Sequence, residues 1–144
     1  MERIIQEKIS ADHLLYVSLK YTKTTEVMLN LLERWRSMID SAIEQLLEKA
    51  NKKKLIKEIP EIPKLKVNAI KEAYKKNPSI IETVVLYEFF KRAPNAEKIR
   101  ENEFRKNVTL KIMDMGKWVD INIDKLKEYS ALLERFISSI KQVL

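Results

Sequence analysis

From His13 to Ala50 the chain holds neither glycine nor proline, and apolar residues return at helical intervals from Leu14 and Val17 through Met28, Leu31, Trp35, Met38 and Ala42 to Leu46 and Leu47. Leu14, Tyr21, Met28, Trp35 and Ala42 stand seven apart, while Lys20, Glu26, Glu33, Asp40 and Glu48 occupy the polar side. This spacing predicts one amphipathic helix of up to roughly 36 residues, on the order of 50 Å long. Ser10 or Asp12 can cap its start. Thr22, Thr24 and Thr25 are its weak point, because β-branched residues lower helix propensity there. A helix longer than its own domain needs a partner, so antiparallel pairing within the chain or with a second chain is expected. Tyrosine, methionine and tryptophan in the seam suit a globular bundle better than a regular coiled coil.

The remaining pattern extends this to a mainly α fold. Pro60 and Pro63 break the chain into an extended, lysine-rich connector at about residues 50–63. A helix follows from Lys64 to Lys76. Another opens at Ser79, where Glu82 three residues on suggests a capping box, and runs to Arg92 with almost no polar face. Ala93-Pro94-Asn95 is expected to start a short polar helix through Lys106. The period then shortens to two: Val108, Leu110 and Ile112 alternate with Thr109 and Lys111, and Val119 and Ile121 with Asp120. Asp114-Met115-Gly116-Lys117 lies between them, so residues 108–123 read as a β-hairpin. A last helix opens at Asn122 or Asp124 and buries Leu126, Tyr129, Leu133, Phe136, Ile137, Ile140 and Leu144. The expectation is one domain, residues 1–144: a helical bundle with a long N-terminal amphipathic helix and a hairpin.

Composition removes most reaction chemistry. The chain has no cysteine, one histidine (His13) and one glycine (Gly116). There is thus no thiol nucleophile, no cysteine-ligated zinc, no paired-histidine metal site and no glycine-rich phosphate cradle. No cofactor or metal is expected. The N-terminal residues lack the apolar core of a secretory signal, and the most apolar stretch, Ile80 to Phe90, is short and contains Glu82 and Glu88, so a cytoplasmic protein without membrane contact is expected. Abundant lysine and glutamate with scarce cysteine and glycine match hyperthermophile usage.

The formal charge of +7 is confined to one segment. Between Lys49 and Lys76 stand ten lysines against Glu58, Glu61 and Glu72, and the other residues balance at 18 basic and 18 acidic. Such a field can attract nucleic acid, an acidic protein or another polyanion. The candidate nucleic-acid-binding residues are Lys52, Lys53, Lys54, Lys57, Lys64 and Lys66, joined by Arg100 and Arg105, which bracket Phe104. The competing use is structural: lysines complement a helix C-terminus and solvate a connector. Only Tyr74 is aromatic in the segment, which argues against a stacking platform there. Ser10, Asp12 and His13 lie at a helix start but do not converge as a triad must. Glu97 and Glu101, four apart, could share a helix face and hold Mg²⁺. Trp35 is expected in the core, and Trp118 partly exposed as a contact anchor.

Two stretches carry a resemblance. Asp12-His13-Leu14-Leu15-Tyr16 with Lys20-Tyr21-Thr22-Lys23-Thr24, and Arg100-Glu101-Asn102-Glu103-Phe104-Arg105-Lys106-Asn107-Val108-Thr109, are similar to small uncharacterised archaeal helical proteins, which resemble the HEPN group of bundles. HEPN ribonucleases place a histidine four to six residues after an arginine on a central helix. Here neither Arg100 nor Arg105 is followed by histidine, and His13 lies ten residues after Arg3. The resemblance therefore implies a catalytically silent bundle that pairs with itself or another protein. The leading expectation is a non-enzymatic binding or assembly module, homodimeric through the long helix or the hairpin edge. The alternatives are nucleic-acid binding through residues 49–76, and a degenerate HEPN-like ribonuclease using His13 with Arg100 or Arg105.

Overall fold

A computed structural model describes residues Met1–Leu144. The fold is mainly α with a small antiparallel sheet. Its elements are α1 (Glu2–His13), a π-helical turn (Leu14–Ser18), α2 (Leu19–Tyr21), α3 (Thr25–Lys52), α4 (Pro63–Ala73), α5 (Pro78–Arg92), a 3-10 turn (Ala93–Asn95), β1 (Lys98–Glu101), β2 (Thr109–Asp114), β3 (Lys117–Ile121) and α6 (Ile123–Val143).

The single long helix expected from His13 to Ala50 is two helical rods. The chain is helical from Glu2, so Ser10 and Asp12 lie inside α1 and cap nothing. The break falls at the threonine cluster. Thr24 turns extended (φ −118°, ψ 152°), and its hydroxyl accepts the Val27 N–H at 3.3 Å, which makes it the N-cap of α3. The rods fold back antiparallel. The Met1 ammonium donates to Gln45 Oε1 at 2.9 Å, and Ser37 Oγ donates to Glu7 Oε1 at 3.3 Å. The seam that the heptads announced is thereby filled within the chain, except that Tyr21, placed in it by spacing, sits on the far side of the break and is 79% exposed.

α3 is the centre. Its stripe from Met28 to Ala50 is buried against α1, α4, α5 and α6. Trp35, fully buried, stacks on Phe90 (5.9 Å between centroids) and meets the edge of Tyr129 (6.3 Å), joining α3, α5 and α6. Burial pushes the Tyr129 hydroxyl up to about 12. Tyr87 hydrogen-bonds Asp40 across the α3–α5 seam, and its hydroxyl is raised first by burial and then by that bond. Tyr74 donates to the Leu46 carbonyl at 2.8 Å and anchors the end of α4. Lys8, buried on α1, donates to Asp12 at 2.6 and 2.7 Å and lies 2.6 Å from Glu134 of α6. Burial works to lower its pKa, but the bonds to the two carboxylates outweigh it and hold it above the ordinary lysine value.

Other boundaries differ for local reasons. α5 is capped by Asn77, whose Oδ1 accepts the Ile80 N–H at 3.2 Å, and not by Ser79; Pro78 takes the first helical position, for which its φ is preset. α4 spans Pro63–Ala73 rather than Lys64–Lys76. α6 opens at Asn122, which accepts the Lys125 N–H at 2.8 Å, and buries Leu126, Leu133, Phe136, Ile137 and Ile140.

The hairpin is present, with a turn in which both Met115 (φ 51°) and Gly116 (φ 81°) are left-handed, as a two-residue connection requires. The polar helix expected through Lys106 is absent. After the 3-10 turn the chain extends and Lys98–Glu101 pairs with β2, giving a sheet of order β1-β2-β3. A segment with no apolar face cannot hold a helix on the core, whereas main-chain bonds to the open edge of β2 need no apolar side chain. Leu110, Ile112 and Ile121 form the buried face of the sheet.

Candidate interaction surfaces

The residues singled out for nucleic acid divide between the two ends of α3. Lys52 ends the helix, Lys53 is its C-cap, and Lys54 enters the left-handed region (φ 60°). The next N–H, of Leu55, returns to the Ala50 carbonyl at 2.9 Å. Lys57 follows in the exposed connector, and Lys64 opens α4. Lys66 is held by Glu44 at 2.6 Å, Lys71 by Glu88 at 2.7 Å and Lys75 by Glu72 at 3.1 Å. Lys64 shares a shallow hollow with Lys91 and Arg92, although Arg92 is bound to Asp114 at 2.7 Å. Arg100 belongs to the other end: it donates to Thr25 Oγ1 at 3.0 Å and lies 3.6 Å from Glu26. From Thr25 to Lys52 is about 40 Å at 1.5 Å per residue, so no short ligand spans both groups.

The Arg100 end is a built corner. The loop after β1 docks on the break between α2 and α3. Glu103 Oε1 accepts the Thr25 N–H at 2.7 Å, and the Phe104 N–H donates to the Lys23 carbonyl at 2.6 Å. Asn102 (φ 58°) and Phe104 (φ 67°) are both left-handed. Asparagine tolerates this; a bulky side chain there costs about 1–2 kcal/mol. The Phe104 ring is 74% exposed, beside Arg105 and Lys106.

The third surface, which the heptad spacing does not single out, is the outward side of the first rod, the α1 rod, made of α1, the π turn and α2. Its inward side buries Ile4, Lys8, Ala11, Leu15 and Leu19, while Ile5 (36%), Ile9 (55%), Tyr16 (53%) and Val17 (41%) face solvent. Positions four apart drift by about 40° per step in a regular helix. The wider π turn at Leu14–Ser18 takes up that drift, so Leu15 and Leu19 both stay inward and the outward row stays on its face. The signal was present in the sequence as two interleaved apolar rows beginning at Ile4 and Ile5.

A hollow of about 320 Å³ between α3, the end of α5 and β1 is lined by Leu29, Leu32, Phe90 and Ala93 together with Lys98 and Arg100. It shares Asn30 and Glu33 with a polar hollow lined by Arg34 and Arg36. Lys98 donates to the Pro94 and Ala96 carbonyls at 2.9 Å, and Arg36 is held by Glu33 and Asp40, so most of these cations already serve the fold.

The remaining candidates do not assemble. Asp12 is engaged by Lys8, and His13 is exposed at the end of α1, so Ser10, Asp12 and His13 share no centre. Glu97 and Glu101 lie on extended chain, about 13 Å apart at strand spacing, and Glu101 pairs with Lys111 at 3.3 Å. Trp118 is 41% exposed on β3, as expected. Comparison with protein-family models, with curated proteins and with solved structures finds no match for this chain.

Proposed function

We propose that the chain is a helical assembly module that acts by binding, and that it pairs with a second copy of itself through the outward side of the α1 rod. The observation that carries this is the row Ile5, Ile9, Tyr16 and Val17, exposed on a helix whose other side is fully packed. With their flanks these side chains offer on the order of 500 Å² per copy, about 1,000 Å² for a pair, which is the lower bound of a specific interface. An antiparallel arrangement opposes the helix dipoles of the two copies, whereas a parallel one aligns them. The resemblance to HEPN bundles implies the same habit of pairing.

Sedimentation equilibrium over a concentration series tests this: the wild-type chain should sediment at twice its 17.1 kDa mass, and Val17→Glu at that mass. Because the chain has no cysteine, His13→Cys provides a single reporter of orientation. His13 lies four residues from both Ile9 and Val17, and an antiparallel pair that sets Ile9 of one copy against Val17 of the other brings the two position-13 side chains together. Mild oxidation of that variant should give a covalent dimer. A strict monomer at high concentration rejects the proposal.

A further inference from the structure

We propose that the corner formed by Tyr21 and the 102–107 loop is a binding site for single-stranded nucleic acid. Tyr21 and Phe104 are the two most exposed aromatic side chains in the molecule, at 79% and 74%. The Phe104 N–H donates to the carbonyl of Lys23, two residues after Tyr21, which brings the two segments together. Neither ring contributes to the core. Phe104 is held out by a left-handed backbone at which glycine or asparagine would sit without strain, so the ring is maintained there against a local cost.

The charge around the rings is positive once existing pairs are removed. Glu101 is paired with Lys111 and Glu26 with Arg100, while Glu103 keeps its charge on the Thr25 N–H and is outnumbered by four cations. Lys20, Arg105 and Lys106 form no salt bridge, Lys23 donates to the Lys20 carbonyl at 2.6 Å, and the Lys20 ammonium lies 5.9 Å from the centre of the Tyr21 ring. Exposed flat rings among unpaired cations match the chemistry of a single strand, whose bases stack on aromatics while its phosphates meet the cations. A duplex hides its base faces and gains only the electrostatic part. The lysine end of α3 lacks this combination: its one aromatic, Tyr74, is buried with its hydroxyl on the Leu46 carbonyl.

Fluorescence anisotropy with labelled oligo(dT) and oligo(U) of about 15 nucleotides, at about 50 and 200 mM salt, tests the site. Both strands should bind at low salt. Phe104→Asn, which keeps the left-handed backbone and removes the ring, should weaken binding roughly tenfold, and Phe104→Tyr should restore it. Arg105→Ala with Lys106→Ala should lower affinity and flatten the salt dependence by about two ions. The triple Lys52→Glu, Lys53→Glu, Lys54→Glu variant should stay within about twofold of wild type. Circular dichroism of each variant confirms the fold. The proposal is overturned by no binding at low salt, by Phe104→Asn binding as wild type, by loss confined to the lysine variant, or by polyglutamate of equal charge displacing the strands as well as unlabelled oligo(dT) does.

Discussion

The α1 rod and α3 are both amphipathic and lie side by side, but they distribute apolar side chains differently. α3 has one stripe, entirely covered, and its other side is polar from Glu26 to Glu48. The α1 rod covers one stripe and leaves a second in solvent. In a monomer the second row leaves 36–55% of each residue in water, apolar surface that a partner would cover. The difference separates two roles within one helical hairpin: α3 specifies the fold, and the outward side of the α1 rod is available for a partner. Four substitutions on buried or capping groups and one on the outward row make the separation measurable.

The largest effect is expected at the middle of α3. Trp35→Ala removes the ring that joins Phe90 to Tyr129 and should lower stability by about 3–5 kcal/mol in chemical denaturation; a loss below about 1 kcal/mol would mean that α3 is not the centre of the core. On the inward side of the α1 rod, Leu15→Ala should cost about 2–4 kcal/mol by the same measurement, and association should persist under native conditions. Lys8→Ala should cost roughly 1–2 kcal/mol, less than a deeply buried pair would, because Asp12 and Glu134 still reach water. Since the Lys8 pKa is raised, its contribution is fully present below the ordinary lysine value and is lost only as pH climbs through the higher folded value. The Lys8→Ala difference should therefore be flat from neutrality to about pH 10 and shrink above it. Glu103→Ala, which uncovers the Thr25 N–H, should cost about 1 kcal/mol. Ile9→Glu should change stability by less than any of these, about 0.5 kcal/mol, while abolishing association.

Much of this fold was legible because it follows from spacing. The inward stripe of α3, the apolar α5, the hairpin about Gly116 and the stripe of α6 are periodic patterns with one favourable solution each. What spacing concealed depended on competition between solutions. A heptad run continued through Thr22–Thr24, but a threonine cap and a carboxylate from Glu103, 78 residues away, made the break more favourable than the continuous helix. Lys98–Glu101 had no face to bury and became a strand because β2 had an open edge. The surfaces were less legible. The lysine excess drew attention to the connector, yet charge counted along the chain does not show which cations the fold consumes. Arg100 and Arg105 were noted for bracketing Phe104, but the exposure of that ring depends on a left-handed backbone that composition does not reveal. A helix that begins at His13 hides the outward row, because Ile5 and Ile9 lie before it and Val17 then falls in the apolar spacing of the buried stripe.

Sedimentation equilibrium of wild type beside Val17→Glu tests the assembly reading most directly. The account predicts a dimer for the first, and for the second a monomer whose circular dichroism matches that of wild type and whose unfolding midpoint no longer depends on protein concentration. A wild-type chain that stays monomeric at every concentration, or a Val17→Glu chain that still sediments as a dimer, would contradict it.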